Sequence, residues 1–136
     1  IELDSSSQHT FYLISNQSIA GLSHLDRVKL ALLASYKNRD YFARFAKPYE
    51  TWISKEELKK LRDFGAILKF AYALNMTKRN VVKKLTIKKV NDYLQIEVIT
   101  TERAIAELAQ AEKQKKHIER VFKSEVKLLF KEEGWN

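Results

Sequence analysis

Lys78, Arg79, Lys83 and Lys84 fall within seven positions, Lys37, Arg39, Arg44 and Lys47 within eleven, and Lys113, Lys115 and Lys116 within four. Clustered ammonium and guanidinium groups hold phosphate-rich chains through many weakly specific contacts rather than one shaped site. The net charge of +8 suits the same class of partner: polyphosphate, nucleotides, nucleic acid or an acidic protein face. The first two clusters supply the candidate polyanion contacts, Lys37, Arg39, Lys78, Arg79, Lys83 and Lys84. Lys113 to Lys116 read instead as a solvated helix face, because Glu112 and Glu119 are near enough to neutralise part of the charge. The chain has three histidines. His9 reads as a partly buried helix residue hydrogen-bonded to a neighbour, His24 and His117 as solvent-facing. No cysteine is present, so disulfides, zinc ribbons and thiol catalysis are excluded, and a reducing, cytoplasmic setting is expected. Three scattered glycines cannot assemble a phosphate-cradling loop.

The elements that must carry these groups are mainly helices. One proline and three glycines leave little material for turns, while 45% hydrophobic residues in 136 fill the core of a single domain spanning residues 1–136. Asp4-Ser5-Ser6-Ser7 reads as a helix start, with Phe11 to Ile14 supplying apolar surface and Gly21 in a C-cap position. Ser23-His24-Leu25-Asp26 is an acidic capping box opening a second helix. Lys37 to Ile53 reads as a short helix and a packed aromatic connector. Ser54-Lys55-Glu56-Glu57 caps a long helix to about Leu74, whose apolar stripe is Leu58, Leu61, Phe64, Ile67, Leu68 and Ala71. Gly65 inside it implies close helix packing.

The hydrophobic period then changes from 3.6 to 2. Leu85, Ile87, Leu94, Ile96 and Val98 alternate with polar residues around Asn91-Asp92, which predicts a hairpin near 83–99 with one buried face. Thr101, as N-cap, opens a helix to Phe122 with Ile105, Leu108, Ala109, Ile118, Val121 and Phe122 inward. A third strand near 125–130 completes a small antiparallel sheet. The fold class is α+β, mainly α. The apolar runs are too short for a bilayer, so no membrane partner is expected.

His9-Thr10-Phe11-Tyr12-Leu13-Ile14, Ile19-Ala20-Gly21-Leu22-Ser23-His24, Leu32-Leu33-Ala34-Ser35-Tyr36-Lys37, Gly65 to Asn75, and Ala109 to Phe122 with its following strand occur in the order of one known family. Together they resemble the C-terminal, HD-like helical domain of the exopolyphosphatase and guanosine pentaphosphate phosphatase (Ppx/GppA) family. The resemblance implies two upstream actin-like domains that cleave the terminal phosphate, and it places any divalent metal such as Mg there rather than in this chain. Beginning at Ile1, the chain reads as a fragment or a processed product.

HD domains bind metal through His and Asp on neighbouring helices. Against the family pattern this chain has Ser6, Ser7 and Gln8 before His9, Tyr36 or Lys37 where relatives often have His, and Asn75 where they have Asp. The resemblance therefore implies a degenerate site at His9, Tyr36 and Asn75, no metal in this chain, and an accessory role: polyphosphate binding with domain or homodimer contacts, inactive alone. A nucleic-acid-binding helical module is the second reading and an active HD-type phosphohydrolase the third.

Overall fold

The computed structural model describes residues 2–16 and 20–134, with side chains from Ser7 onward. The chain divides into two compact units, 1–66 and 67–136. It is α+β and mainly α, with five α-helices and one three-stranded sheet among the described residues.

The first unit holds α1 (Glu2–Asn16), α2 (His24–Ala34), α3 (Arg39–Ala46), a 3-10 turn at Lys47–Tyr49, and the first half of α4 (Lys55–Ala73). Asp4 to Ser7 lie inside α1 rather than at its start. The capping chemistry elsewhere is as the residue types dictate. Ser23 Oγ accepts from Asp26 N–H at 3.1 Å, Asn38 Oδ1 from Tyr41 N–H at 2.9 Å, and Ser54 Oγ from Glu57 N–H at 3.2 Å. Phe11, Val28, Leu32, Phe42 and Ile53 form the buried centre. The Phe11 and Phe45 rings stack at 5.0 Å. Ile19 of the sequence reading lies outside the described residues.

Gly65 has a specific reason to be glycine. A Cβ there would stand 2.7 Å from the Tyr36 ring and 2.8 Å from Tyr36 Cβ, inside van der Waals contact. Gly65→Ala recovers about 1 kcal/mol of helix propensity but overpacks by about 1–3 kcal/mol. A fall in Tm of a few degrees is therefore expected in a thermal melt, and a rise would show that α4 can move away from Tyr36.

The second unit holds the end of α4, β1 (Val82–Val90), β2 (Tyr93–Thr100), α5 (Ile105–Phe122) and β3 (Glu125–Glu132). Asn91 and Asp92 turn the hairpin, with Asn91 at φ 53°, a left-handed conformation that Asn tolerates. The third strand corrects the sequence reading. It pairs with β2 in parallel register, Leu94 beside Val126 and Val98 beside Phe130, so the sheet is mixed and not antiparallel. The cause is α5: a strand that returns through an 18-residue helix comes back in the same direction.

Ile96, Val98, Val126, Ala111, Ile118, Phe70 and Leu74 make the buried core of this unit. Leu85 and Ile87 share the face of Val98 and Ile96, yet on the edge strand they are 42% and 58% exposed, so the buried face of the hairpin belongs to β2 alone.

Two helix faces also differ from expectation. On α4 the buried residues are Gly65, Ala66, Phe70 and Ala73, whereas Phe64, Ile67, Leu68 and Ala71 are exposed. On α5 Ile118 is buried as expected, but the other buried positions are Glu107, Ala111 and His117, while Ile105, Leu108, Ala109 and Phe122 are exposed. Thr101 does not cap α5. Its N–H bonds Val81 C=O at 2.8 Å, and the N-cap is Ala104.

Candidate polyanion-binding site

A phosphate chain needs cations that are exposed, close together and not already neutralised. The sheet brings such a set to one face. β-strand side chains alternate, so the residues facing away from Ile96 and Val98 are Lys84, Thr86, Lys88 and Val90 on β1, Tyr93, Gln95, Glu97 and Ile99 on β2, and Glu125, Lys127, Leu129 and Lys131 on β3. The register aligns them into rows: Lys88, Gln95 and Lys127 in one, Lys84, Ile99 and Lys131 in another. With about 4.8 Å between strands and 3.3 Å per residue, the four lysines mark the corners of a patch roughly 10 Å by 13 Å.

All four lysines are exposed. The side chains of Lys84 and Lys88 make no hydrogen bond or ion pair among the described residues. Lys127 lies over the Tyr93 ring, 4.1 Å from its centroid, and Lys131 meets Glu97 at 3.5 Å. β1 contains four lysines and no acid, so its field is uncompensated within the strand.

The other sequence candidates are placed differently. Lys78 is exposed, in a left-handed turn at φ 60°. Arg79 is committed to the fold: it bonds Glu102, Thr77 Oγ1 at 2.9 Å, Arg103 C=O at 3.3 Å and Glu107 at 3.3 Å. Lys83 is ion-paired with Glu133. In the first unit Lys37 sits 4.6 Å from the Tyr41 ring centroid, Arg44 lies over the same ring at 5.0 Å, and Arg39 is half-buried at the α3–α4 cleft. On α5 Lys115 meets Glu112 at 2.9 Å, and that carboxylate raises the lysine's pKa against the opposing effect of burial.

Glu107 was not foreseen. A glutamate ranks among the residues least often buried, yet this one is fully buried. It accepts from Thr77 N–H at 3.2 Å and from the Thr77 hydroxyl, beside Arg79. Burial works to raise its pKa, but the Thr77 hydroxyl, backbone N–H donors and the Arg79 guanidinium together hold the carboxyl below the ordinary glutamate range. The clamp fixes the loop from which β1 departs. Asn75 supports the same loop, exchanging hydrogen bonds with the Asn80 side chain at 2.9 Å and the Asn80 N–H at 3.0 Å.

Of the residues expected at a degenerate HD site, His9 is exposed on α1, so the partly buried environment expected of it is absent. Tyr36 packs over Gly65 in the first unit, and Asn75 belongs to the second. His24 is exposed beside Arg27, whereas His117 is buried and not solvent-facing. Among the described residues no group of three or more His, Asp or Glu side chains is placed to hold a metal ion. Among the same residues no helix is long and apolar enough to cross a membrane. The chain matches no known protein-family model and no curated protein.

Proposed function

We propose that this chain is a cytoplasmic, non-catalytic accessory domain of an exopolyphosphatase-related protein, which holds a stretch of polyphosphate for catalytic actin-like domains encoded upstream. The observation that carries the reading is the lysine-bordered outer face of the sheet, where the Lys84 and Lys88 side chains are exposed and without partners among the described residues and Lys127 stands across Gln95 from Lys88. A linear condensed phosphate presents charge all along its length and no bases, so it needs spaced cations and no stacking platform. The face supplies the first and little of the second. Its one aromatic ring, Tyr93, already lies under Lys127, which disfavours nucleic-acid binding by base stacking.

Family resemblance in the ordered segments supports the placement beside a phosphatase, and the mainly helical α+β fold is compatible with it. Hydrolysis and its metal belong to the upstream domains in this reading.

Titration of the protein with long-chain polyphosphate at two salt concentrations tests it. Saturable binding is expected, with log K falling against log salt at a slope of about −2 to −3 for three or four phosphate contacts, by analogy with single strands. Absence of saturable, salt-sensitive binding would sink the proposal.

A further inference from the structure

The first unit carries a basic cleft of its own, built from none of the sheet residues on which the polyphosphate reading rests. A cleft of ≈ 210 Å³ opens between α3 and the start of α4. Phe42, Ala43, Ala46 and Leu58 are its apolar lining, and Arg39, Lys55, Lys59 and Arg62 its cations, with Glu50 the one acid in the lining among the described residues.

Three features distinguish it from an ordinary basic surface. First, Arg39 and Lys55 have no hydrogen-bond or ion-pair partner among the described residues. Second, Arg62 Nε is buried and makes no hydrogen bond among the described residues, with only a long ion pair to Asp63 Oδ1 at 3.7 Å. A buried donor left unmet is costly, and an anion bound beside it would satisfy it. Third, Lys55 opens α4 at the end where the helix dipole adds positive potential, offset in part by Glu56 in the same turn, while Glu57 is paired with Lys29. Asp63 pairs with Lys59 at 3.0 Å and stands 3.7 Å from Arg62 Nε, so Arg39 and Lys55 are the cations without an acid partner among the described residues, and Arg62 adds the unbonded Nε–H of a partly neutralised guanidinium.

We propose that this cleft binds a small organic monophosphate, with the phosphate on Arg39, Lys55 and Arg62 and an apolar ring on Phe42 and Leu58. Charge alone would be served by the open sheet face. The apolar lining is what selects an ester over free phosphate. The volume is below the usual range of about 300–1,000 Å³ for drug-sized ligands, which limits the ligand to a phosphate and one ring.

Phenyl phosphate is the probe, with inorganic phosphate as the comparison, followed by amide chemical-shift mapping on the whole chain. Phenyl phosphate is expected to bind saturably, about tenfold tighter than inorganic phosphate, the increment for burying roughly two CH₂ equivalents. Its shifts should fall on residues 39–46 and 55–62. Arg62→Gln should weaken it about tenfold, the loss of one charge-assisted hydrogen bond, with an unchanged circular dichroism spectrum and unchanged polyphosphate affinity. Equal affinity for the two probes, or shifts confined to residues 84–131, would overturn the site. Because mapping uses the unaltered protein, a poorly folding variant does not rescue or obscure the result.

Discussion

Glu107→Ala is expected to lower stability by about 3 kcal/mol, which makes it among the most damaging single changes available in the second unit. Glu107 is fully buried, and its carboxylate satisfies both the N–H and the hydroxyl of Thr77 while facing Arg79. Alanine leaves the Thr77 groups without an acceptor and opens a cavity under the first turn of α5. Equilibrium urea unfolding reads this as a midpoint lower by about 1–3 M, for a slope of about 1–3 kcal/mol/M. Arg79→Met should cost less, about 1 kcal/mol, because Arg79 is 44% exposed and its ion pairs are screened by solvent. A shift for Glu107→Ala no larger than that for Arg79→Met would show that the clamp does not hold the loop.

The same group sets an acid limb. Its carboxyl titrates lower in the folded chain than in the unfolded one. The stabilisation is therefore fully present above the unfolded value of about 4.3 and is lost as pH falls through the lower folded value. Wild-type stability should drop below about pH 4.3, and Glu107→Gln should flatten that limb while lowering stability at neutral pH.

Features with local causes were legible in the sequence. Ser23 and Ser54 cap helices because a hydroxyl three residues before a free N–H is a local geometry. The hairpin around Asn91 follows from period-2 alternation and a residue that accepts positive φ. What was illegible depends on tertiary partners. The inward face of α5 keeps Ile118, as expected, but replaces Ile105, Leu108 and Phe122 with Glu107 and Ala111, with Ala104 buried at the N-cap, because small Ala104 and Ala111 allow close approach and Glu107 has Thr77 to meet. Hydrophobicity alone ranks those positions the wrong way round. On α4 the apolar stripe through Phe64 and Leu68 is exposed, while smaller Gly65 and Ala66 are buried.

The candidate site was half legible for the same reason. Basic clusters are visible in sequence, and Lys84 was among the contacts expected from them. Lys127 and Lys131 were not, because only the parallel register of β3 brings them to the face that holds Lys84 and Lys88. Conversely, Arg79 and Lys83 sit in the densest basic run but are tied to Glu102, Glu107 and Glu133. Charge density along the chain does not distinguish a cation offered to solvent from one holding a loop.

That distinction yields the sharpest test of function. Lys84→Glu, Lys88→Glu and Lys127→Glu together should weaken polyphosphate binding about 100-fold at low salt and shrink the salt slope by about 2, since three phosphate contacts are removed at about 0.7 each. The three side chains are exposed, so the fold should persist with little change in Tm. A matched variant, Lys60→Glu, Lys113→Glu and Lys116→Glu, changes net charge by the same amount at exposed helical positions. If attraction were only the pull of a cationic protein on a polyanion, both triple variants would lose affinity equally. If the sheet face is the binding surface, the helical variant should lose only a few-fold, through the weakened long-range field, and keep its salt slope. Equal losses would place the binding in net charge and rule out the sheet face as the binding surface. A large difference would locate the phosphate chain across β1 and β3, along the rows that Gln95 and Ile99 bridge.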